Sequence, residues 1–329
     1  MHVAVYLPLI VPAFAALAAR PLADRLPPAA ATWLLAASAL ALAFASSAVL
    51  GMLALSALVR IPAIDAAGHL SRPVIRSADA VSLPVAVVAG GLLALAAVAA
   101  GRAVWRRGRA IAAAHRHASS LPGVSQVVVT EDAAADAYTV PGWPCRIVIT
   151  QGMLRALSAG EQNVLLAHER SHAQGSHYLF TSVARLAAAA NPLLRPVAAQ
   201  AGYTVERWAD ERAATQAGDR TLAARAIARA ALATSAAPPG RDAAMTALGL
   251  ITQEGEHRAG VHRGDQPRVD LHKAGQVPRR VAALLAPRPQ LRLLLLAAAI
   301  VLVATSGAAA LEAARNFHQL IELVQSPHA

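Results

Sequence analysis

Long uncharged apolar runs alternate with short charged segments near both ends of this chain. Val3–Ala19 is apolar and is followed by Arg20, and Ala29–Val59 is a longer run without charge. Val81–Ala100 and Leu293–Leu311 are two further runs of this kind. Because about 20 apolar residues suffice to cross the hydrocarbon core of a bilayer as a helix, the pattern predicts four transmembrane helices.

The segment between the third and fourth runs, residues 102–290, has the mixed pattern of a compact domain. Three short stretches rich in β-branched residues predict strands at Val127–Thr130, Ala137–Val140 and Arg146–Ile149. Residues typical of turns separate these stretches, and a short helix is predicted near Met153–Leu157. Strands followed by helices favour an α+β domain.

The remainder of this domain is predicted to be helical, with loops. Ser158 and Glu161 have the spacing of a capping box, which predicts that a helix begins there. Its apolar pattern continues to Pro192, where we expect the helix to end. Gly- and Pro-rich segments at 236–240 and 254–275 predict loops, and a short basic helix is expected afterwards, at 277–285. The loop histidines are spaced too irregularly to predict a second metal site: they are His257, His262 and His272.

The composition favours membrane insertion and argues against nucleic-acid binding. Of the 329 residues, 56% are apolar and only 15% are charged, which is unusually apolar for a soluble domain. The net charge is +11, but the basic residues are scattered and form no stripe interleaved with aromatic residues. We therefore expect contact with a lipid bilayer and no direct contact with nucleic acid. The single cysteine, Cys145, excludes an internal disulfide.

A cluster of arginines directly after the third apolar run sets the expected orientation. By the positive-inside rule, such a cluster lies in the cytoplasm. The domain that follows should then be cytoplasmic, and four spans place both termini outside, in a multi-pass protein of the cell membrane. The arginines of this cluster are Arg102, Arg106, Arg107, Arg109 and Arg116.

One short motif carries the candidate chemistry, His168-Glu169-Arg170-Ser171-His172. Residues four apart share a helical face, so His168 and His172 can bind one tetrahedral zinc ion. Glu169 lies beside the pair, where it can serve as general base for a zinc-activated water. The pattern is short, and two histidines one turn apart can also be ordinary polar positions on a helix.

A zinc hydrolase needs a third protein ligand, and two residues compete for this role. On a continuous helix, His177 would be rotated by about 140° from His172 and would face away from the metal, which predicts a surface histidine. Glu206 and Asp210 lie one turn apart on a later helix. Glu206 can bind zinc while Asp210 accepts the outer N–H of a ligating histidine. In isolation these acidic residues would be solvated charge pairs, but beside the histidine motif they favour Glu206 as the ligand.

These residues resemble those of the BlaR/MecR-type membrane metallopeptidases, relatives of the HtpX and CAAX prenyl protease family. The similarity covers most of the chain. It rests on three spans, the segment Ala167–His172, the pair Asn191-Pro192, the segment Glu206–Asp210 and a closing span. It implies an α-helical membrane protein with four spans and an inserted α+β zinc metallopeptidase domain of the gluzincin type.

The resemblance also implies roles for single residues. His168, His172 and Glu206 would bind one zinc ion, and Glu169 would be the catalytic base. The segment Ala137–Gly142 resembles the one that precedes the zinc helix in that group, where an edge strand can pair with an extended peptide substrate.

Four domains follow from these expectations. Residues 1–101 form a membrane domain with three transmembrane helices, and residues 102–290 form a cytoplasmic zinc metallopeptidase domain. The fourth transmembrane helix is at 291–311. Residues 312–329 form a short amphipathic tail, expected on the outer face of the membrane, whose apolar stripe consists of Phe317, Leu320, Ile321 and Val324.

The expected activity is hydrolysis of peptide bonds in a protein or peptide substrate. By the resemblance, this substrate is a cytoplasmic transcriptional repressor in a signalling pathway. The antibiotic-sensing members carry a penicillin-binding domain after the last span, and the tail 312–329 is too short for one, so direct β-lactam sensing is not expected. Quality control of membrane proteins is an alternative activity. A non-catalytic signalling or scaffold protein with a structural zinc site is the alternative from another class.

Overall fold

The computed structural model describes residues 6–58, 82–120, 125–142, 145–236 and 275–325. The histidines His257, His262 and His272 lie outside the described residues, as do almost all of the predicted loops 236–240 and 254–275. In chain order the elements are α1 Leu7–Arg25, α2 Pro28–Leu58, α3 Leu83–Ser120, β1 Val127–Thr130, β2 Ala137–Val140, β3 Arg146–Thr150, α4 Gln151–Ala156, α5 Ala159–Gln174, α6 His177–Ala190, a 3-10 turn at Pro192–Leu194, α7 Arg195–Ala217, α8 Arg220–Ser235, α9 Gln276–Leu285 and α10 Leu293–Gln325.

The helices α1, α2, α3 and α10 are long and apolar enough to cross a membrane. Each overlaps one of the four predicted spans. The helix α3 continues beyond the third predicted span to Ser120, because the arginines and alanines after Ala100 are strong helix formers. The helix α10 is likewise continuous as far as Gln325, so residues 312–325 extend the helix of the fourth predicted span.

The three predicted strands form one small sheet. In the order β1-β3-β2, the central strand β3 pairs in parallel with β1 and antiparallel with β2. The central position explains the apolar run Ile147–Ile149, all three residues of which are buried. The strand β2 lies at an edge and packs against α5, so it is the strand next to the histidine motif.

The helix that carries the motif begins as predicted but ends earlier. Glu161 accepts hydrogen bonds from the backbone N–H and hydroxyl of Ser158, which forms the predicted capping box. The prediction of one continuous helix to Pro192 is wrong, because α5 ends at Gln174 and α6 begins at His177. Ser176 has a left-handed backbone with φ 48°, which interrupts the helix and redirects the chain.

The helix α7 packs directly against α1 and α2, and α6 packs against α2. Their buried contact positions are largely alanines, whose small side chains allow close approach of the helices; they include Ala19, Ala39, Ala184, Ala187 and Ala201. Polar contacts join the same elements: Thr32 of α2 donates to Thr204 of α7 at 3.0 Å, and Arg207 of α7 donates to the Ala23 carbonyl oxygen of α1 at 2.5 Å. The helix α7 is thus fixed to two of the four apolar helices.

Candidate metal centre

Two helices bring three side chains together around one point. His168 and His172 lie one turn apart on α5, and Glu206 lies on α7, which packs across it. One ligand atom from each residue lies within 4.8 Å of the others. Among the described residues, this is the group of histidine, cysteine and acidic side chains that is arranged to hold a metal ion.

The spacing of these atoms fits tetrahedral zinc. The two Nε2 atoms are 3.1 Å apart, and the Glu206 carboxylate oxygens lie 3.6 Å from the Nε2 of His168 and 3.6 Å from the Nε2 of His172. With Zn–N bonds of about 2.0–2.1 Å, two ligand atoms of a tetrahedral ion are about 3.3 Å apart. Two imidazoles and one carboxylate are also a typical catalytic zinc set, which leaves a fourth position open.

A carboxylate and an arginine contact the candidate ligands on the side away from the metal position. Asp210 Oδ1 lies 3.0 Å from His168 Nδ1, the nitrogen that points away from Nε2. Arg280 of α9 donates two hydrogen bonds of 2.7 Å to Asp210 and lies 3.1 Å from Glu206 Oε2. Asp210 is 1% exposed and Arg280 is 8% exposed, so this ion pair is shielded from solvent.

The electrostatics of this cluster favour a bound cation. Burial alone lowers the pKa of His168, but Asp210 and Glu206 outweigh it and raise that pKa to about 10. Burial raises the pKa of Glu206, but His172 and Arg280 outweigh burial and hold the pKa of this carboxyl below its usual range. Two carboxylates face one guanidinium, so one negative charge remains. A zinc ion can balance this charge in place of the proton on His168.

Glu169 is held in place by a residue of the neighbouring strand. The hydroxyl of Thr139 on β2 lies 2.8 Å from Glu169 Oε2 and 3.0 Å from the Glu169 carbonyl oxygen, so it can donate to either. Both residues are buried, Glu169 at 7% and Thr139 at 6% exposure. The carboxylate beside the metal ligands therefore has a defined orientation.

His177 is not a surface residue, and that expectation is wrong. It is 1% exposed, and its Nδ1 lies 3.1 Å from the Nδ1 of His172. The break at Gly175 and Ser176 turns the chain back, so a rotation calculated for a continuous helix does not apply. The candidate metal-binding group does not include His177, because this residue meets the outer nitrogen of His172.

Aromatic rings and a glycine enclose His177. Its ring packs against Trp208 of α7, with centroids 4.7 Å apart, and Trp208 in turn contacts Phe180 at 6.0 Å. A Cβ atom at Gly175 would lie 2.4 Å from His177 Nε2, so this position has no room for a side chain while the ring stays in place.

Sequence reasoning missed Thr139 and Arg280 as residues of this centre and misplaced His177 at the surface. Thr139 and Arg280 lie far along the chain from the motif and carry no local signal. The pair Gly175-Ser176 was the available signal for His177, since a glycine followed by a small polar residue favours a helix end.

A comparison with protein families gave one match. The model for peptidase family M48 matches residues 101–289, which is more than half of the chain and includes all the residues of the centre described above. No curated protein and no solved structure matches the chain.

Proposed function

Because this chain belongs to peptidase family M48, whose members are zinc-dependent metallopeptidases, we propose that it is a membrane-embedded zinc metalloendopeptidase with its site at His168, Glu169, His172 and Glu206. The observation that carries the proposal is the convergence of His168, His172 and Glu206 with a carboxylate next to them in sequence. A structural zinc site is usually closed by four ligands and needs no base, so the arrangement favours catalysis over a scaffold role.

Each residue has a separate task in this proposal. Zinc, when bound, supplies Lewis acidity that activates a water molecule and polarises the scissile carbonyl. His168, His172 and Glu206 hold the ion, and Asp210 orients His168 through Nδ1. Glu169 accepts a proton from the attacking water and passes it to the leaving amine. Thr139 holds the Glu169 carboxylate, and the edge strand β2 offers backbone groups to an extended peptide.

Insertion into a bilayer is supported by the apolar surface of the long helices. On α3 and α10, large aliphatic side chains are exposed one after another, which is rare on a soluble protein; they include Val87, Leu92, Leu95, Leu294 and Val301. We place residues 1–101 and 291–311 in the membrane, with the metal centre of the peptidase domain, 102–290, on the cytoplasmic side and both termini outside. The parts of α6 and α7 that pack against the middle of α2 lie beside it at the same depth. The contact between Arg279 of α9 and Asp24 of α1 requires that α9 and this end of α1 lie on the same side of the membrane.

The proposed substrate is a cytoplasmic protein, with a transcriptional repressor as the specific candidate by resemblance to the BlaR/MecR-type peptidases. Quality control of membrane proteins is the other proteolytic role. Both roles use the same site.

We expect His168→Ala, His172→Ala and Glu206→Ala each to lose zinc and proteolysis together, because each removes one of three ligands. The measurement is the zinc content of the purified protein together with cleavage of an unstructured protein such as casein. Glu211→Ala is the matched control on α7, since Glu211 pairs with Arg220 and not with the ligands. Full zinc in the Glu206→Ala variant would contradict the ligand assignment. A wild type that binds zinc and cleaves no peptide would favour the scaffold.

The proposed topology is tested with compartment reporters. A reporter at residue 120 is expected on the cytoplasmic side, and reporters before His2 and after Ala329 are expected outside. A cytoplasmic C-terminus would mean that one of the four helices does not span the membrane.

A further inference from the structure

We propose that His177 is a positioning residue for the zinc ligand His172, to which it presents a hydrogen-bond acceptor. This inference rests on the proposed zinc site. His172 directs Nε2 towards His168 and Glu206, while its other nitrogen, Nδ1, lies 3.1 Å from His177 Nδ1. His177 therefore lies beside the outer nitrogen of His172, just as Asp210 lies beside the outer nitrogen of His168.

The proton positions follow from the chemistry of imidazole. A neutral imidazole that binds metal through Nε2 carries its proton on Nδ1, which must donate to an acceptor. The distance of 3.1 Å is within the range of such a hydrogen bond. His177 can accept it only through an unprotonated Nδ1, so its own proton is on Nε2. The contact then fixes both the ring orientation and the tautomer of His172.

The surroundings of His177 are shaped to keep its ring there. The left-handed residue Ser176 turns the chain, Gly175 leaves the space that the ring occupies, and Trp208 packs against the ring. Within the described part of the chain, His177 Nε2 is buried without a hydrogen-bond partner. Burying a polar imidazole with this group unsatisfied costs free energy, which a phenylalanine in the same space would avoid. Among the described residues, His172 is the one hydrogen-bonding partner of the His177 side chain.

Zinc affinity tests the proposal without any substrate. The full chain in detergent is titrated against a zinc chelator of known affinity, as wild type, H177F and H177N. H177F fills the space of the ring but has no acceptor, and we expect its zinc affinity to fall about ten- to a hundredfold. H177N places an amide oxygen near the position of Nδ1, so its affinity should stay within a few-fold of wild type.

G175A provides a variant that leaves His177 unchanged. Because the new Cβ meets the His177 ring at 2.4 Å, the ring or the turn must move, and zinc affinity should fall in the same direction as in H177F. If H177F does not fold, G175A and H177N decide the question. H177F with wild-type affinity overturns the proposal, and so does H177N with a tenfold or larger loss, since a hydrogen-bond acceptor at this place would then not be what supports His172.

The outcome is separate from that of the proposed function. If the protein binds zinc but cleaves no peptide, the proposed proteolytic function is wrong, and the zinc titration still tests the role of His177. If the protein is an active protease and H177F binds zinc as tightly as wild type, only the proposed role of His177 is wrong.

Discussion

Glu169→Gln is expected to retain its zinc while kcat for peptide-bond hydrolysis falls by about 10²- to 10⁴-fold, the usual contribution of a general base. Glutamine has nearly the shape of glutamate and can still accept the hydrogen bond from Thr139, but it cannot take a proton at neutral pH. Because Glu169 is not one of the proposed metal ligands, binding of zinc and of substrate should persist. Steady-state kinetics and metal analysis of the same preparation measure both effects.

The same variant identifies substrates. Since it is expected to bind without cutting, proteins that copurify with it from native membranes are candidates for the substrate. Cleavage at the wild-type rate would show that another group is the base. Loss of zinc or of folding would instead assign a structural role to the buried Glu169 carboxylate.

Arg280→Met is expected to destabilise the metal-free protein by about 3–5 kcal/mol, the typical cost of removing one partner from a buried ion pair. Arg280 faces both Asp210 and Glu206, and without it the charges of these two carboxylates would be balanced only in part, by protonated His168. The free energy of unfolding in detergent, without zinc, measures the effect. Added zinc should restore part of the stability, because it supplies positive charge at the same place.

Arg288→Met is the matched control for this measurement. Arg288 also reaches an acidic residue, Glu211 at 3.6 Å, but 59% of its side chain is exposed. A solvated pair of this kind contributes about 0–1 kcal/mol, so the loss should be small. Equal losses of unfolding free energy in the two variants would show that the burial of Arg280 does not make its ion pairs more stabilising.

The sequence was sufficient for the features that depend on local patterns. Apolar length predicts the four long helices, short stretches rich in β-branched residues predict the strands, and the capping box at Ser158 predicts the start of the motif helix. The four-residue spacing of His168 and His172 predicts their common face for the same reason. Each of these signals is contained in a few neighbouring residues.

The features that the sequence did not predict depend on tertiary packing or on the backbone conformation of a single turn. Nothing near Arg280 in sequence shows that α9 packs beside α7 and closes an ion pair with Asp210. His177 was misplaced because one left-handed residue, Ser176, changes the direction of the chain, and a helical rotation holds only while the helix continues. The roles of the ligands and of Glu169 remain predictions, which the substitutions above test.

If α2 spans a bilayer, the hydrogen bond between Thr32 and Thr204 sets the depth of the candidate metal centre in it. Thr32 lies near the start of the apolar part of α2, and Glu206 is two residues beyond Thr204, about 3 Å along the helix axis. With α2 in a bilayer, the scissile bond would thus be cut at the level of the lipid headgroups. Substrates would then be selected by their distance from the membrane. A protein anchored by its own membrane helix presents its juxtamembrane residues to the site at a high effective concentration. A soluble protein must first be recruited to the bilayer surface.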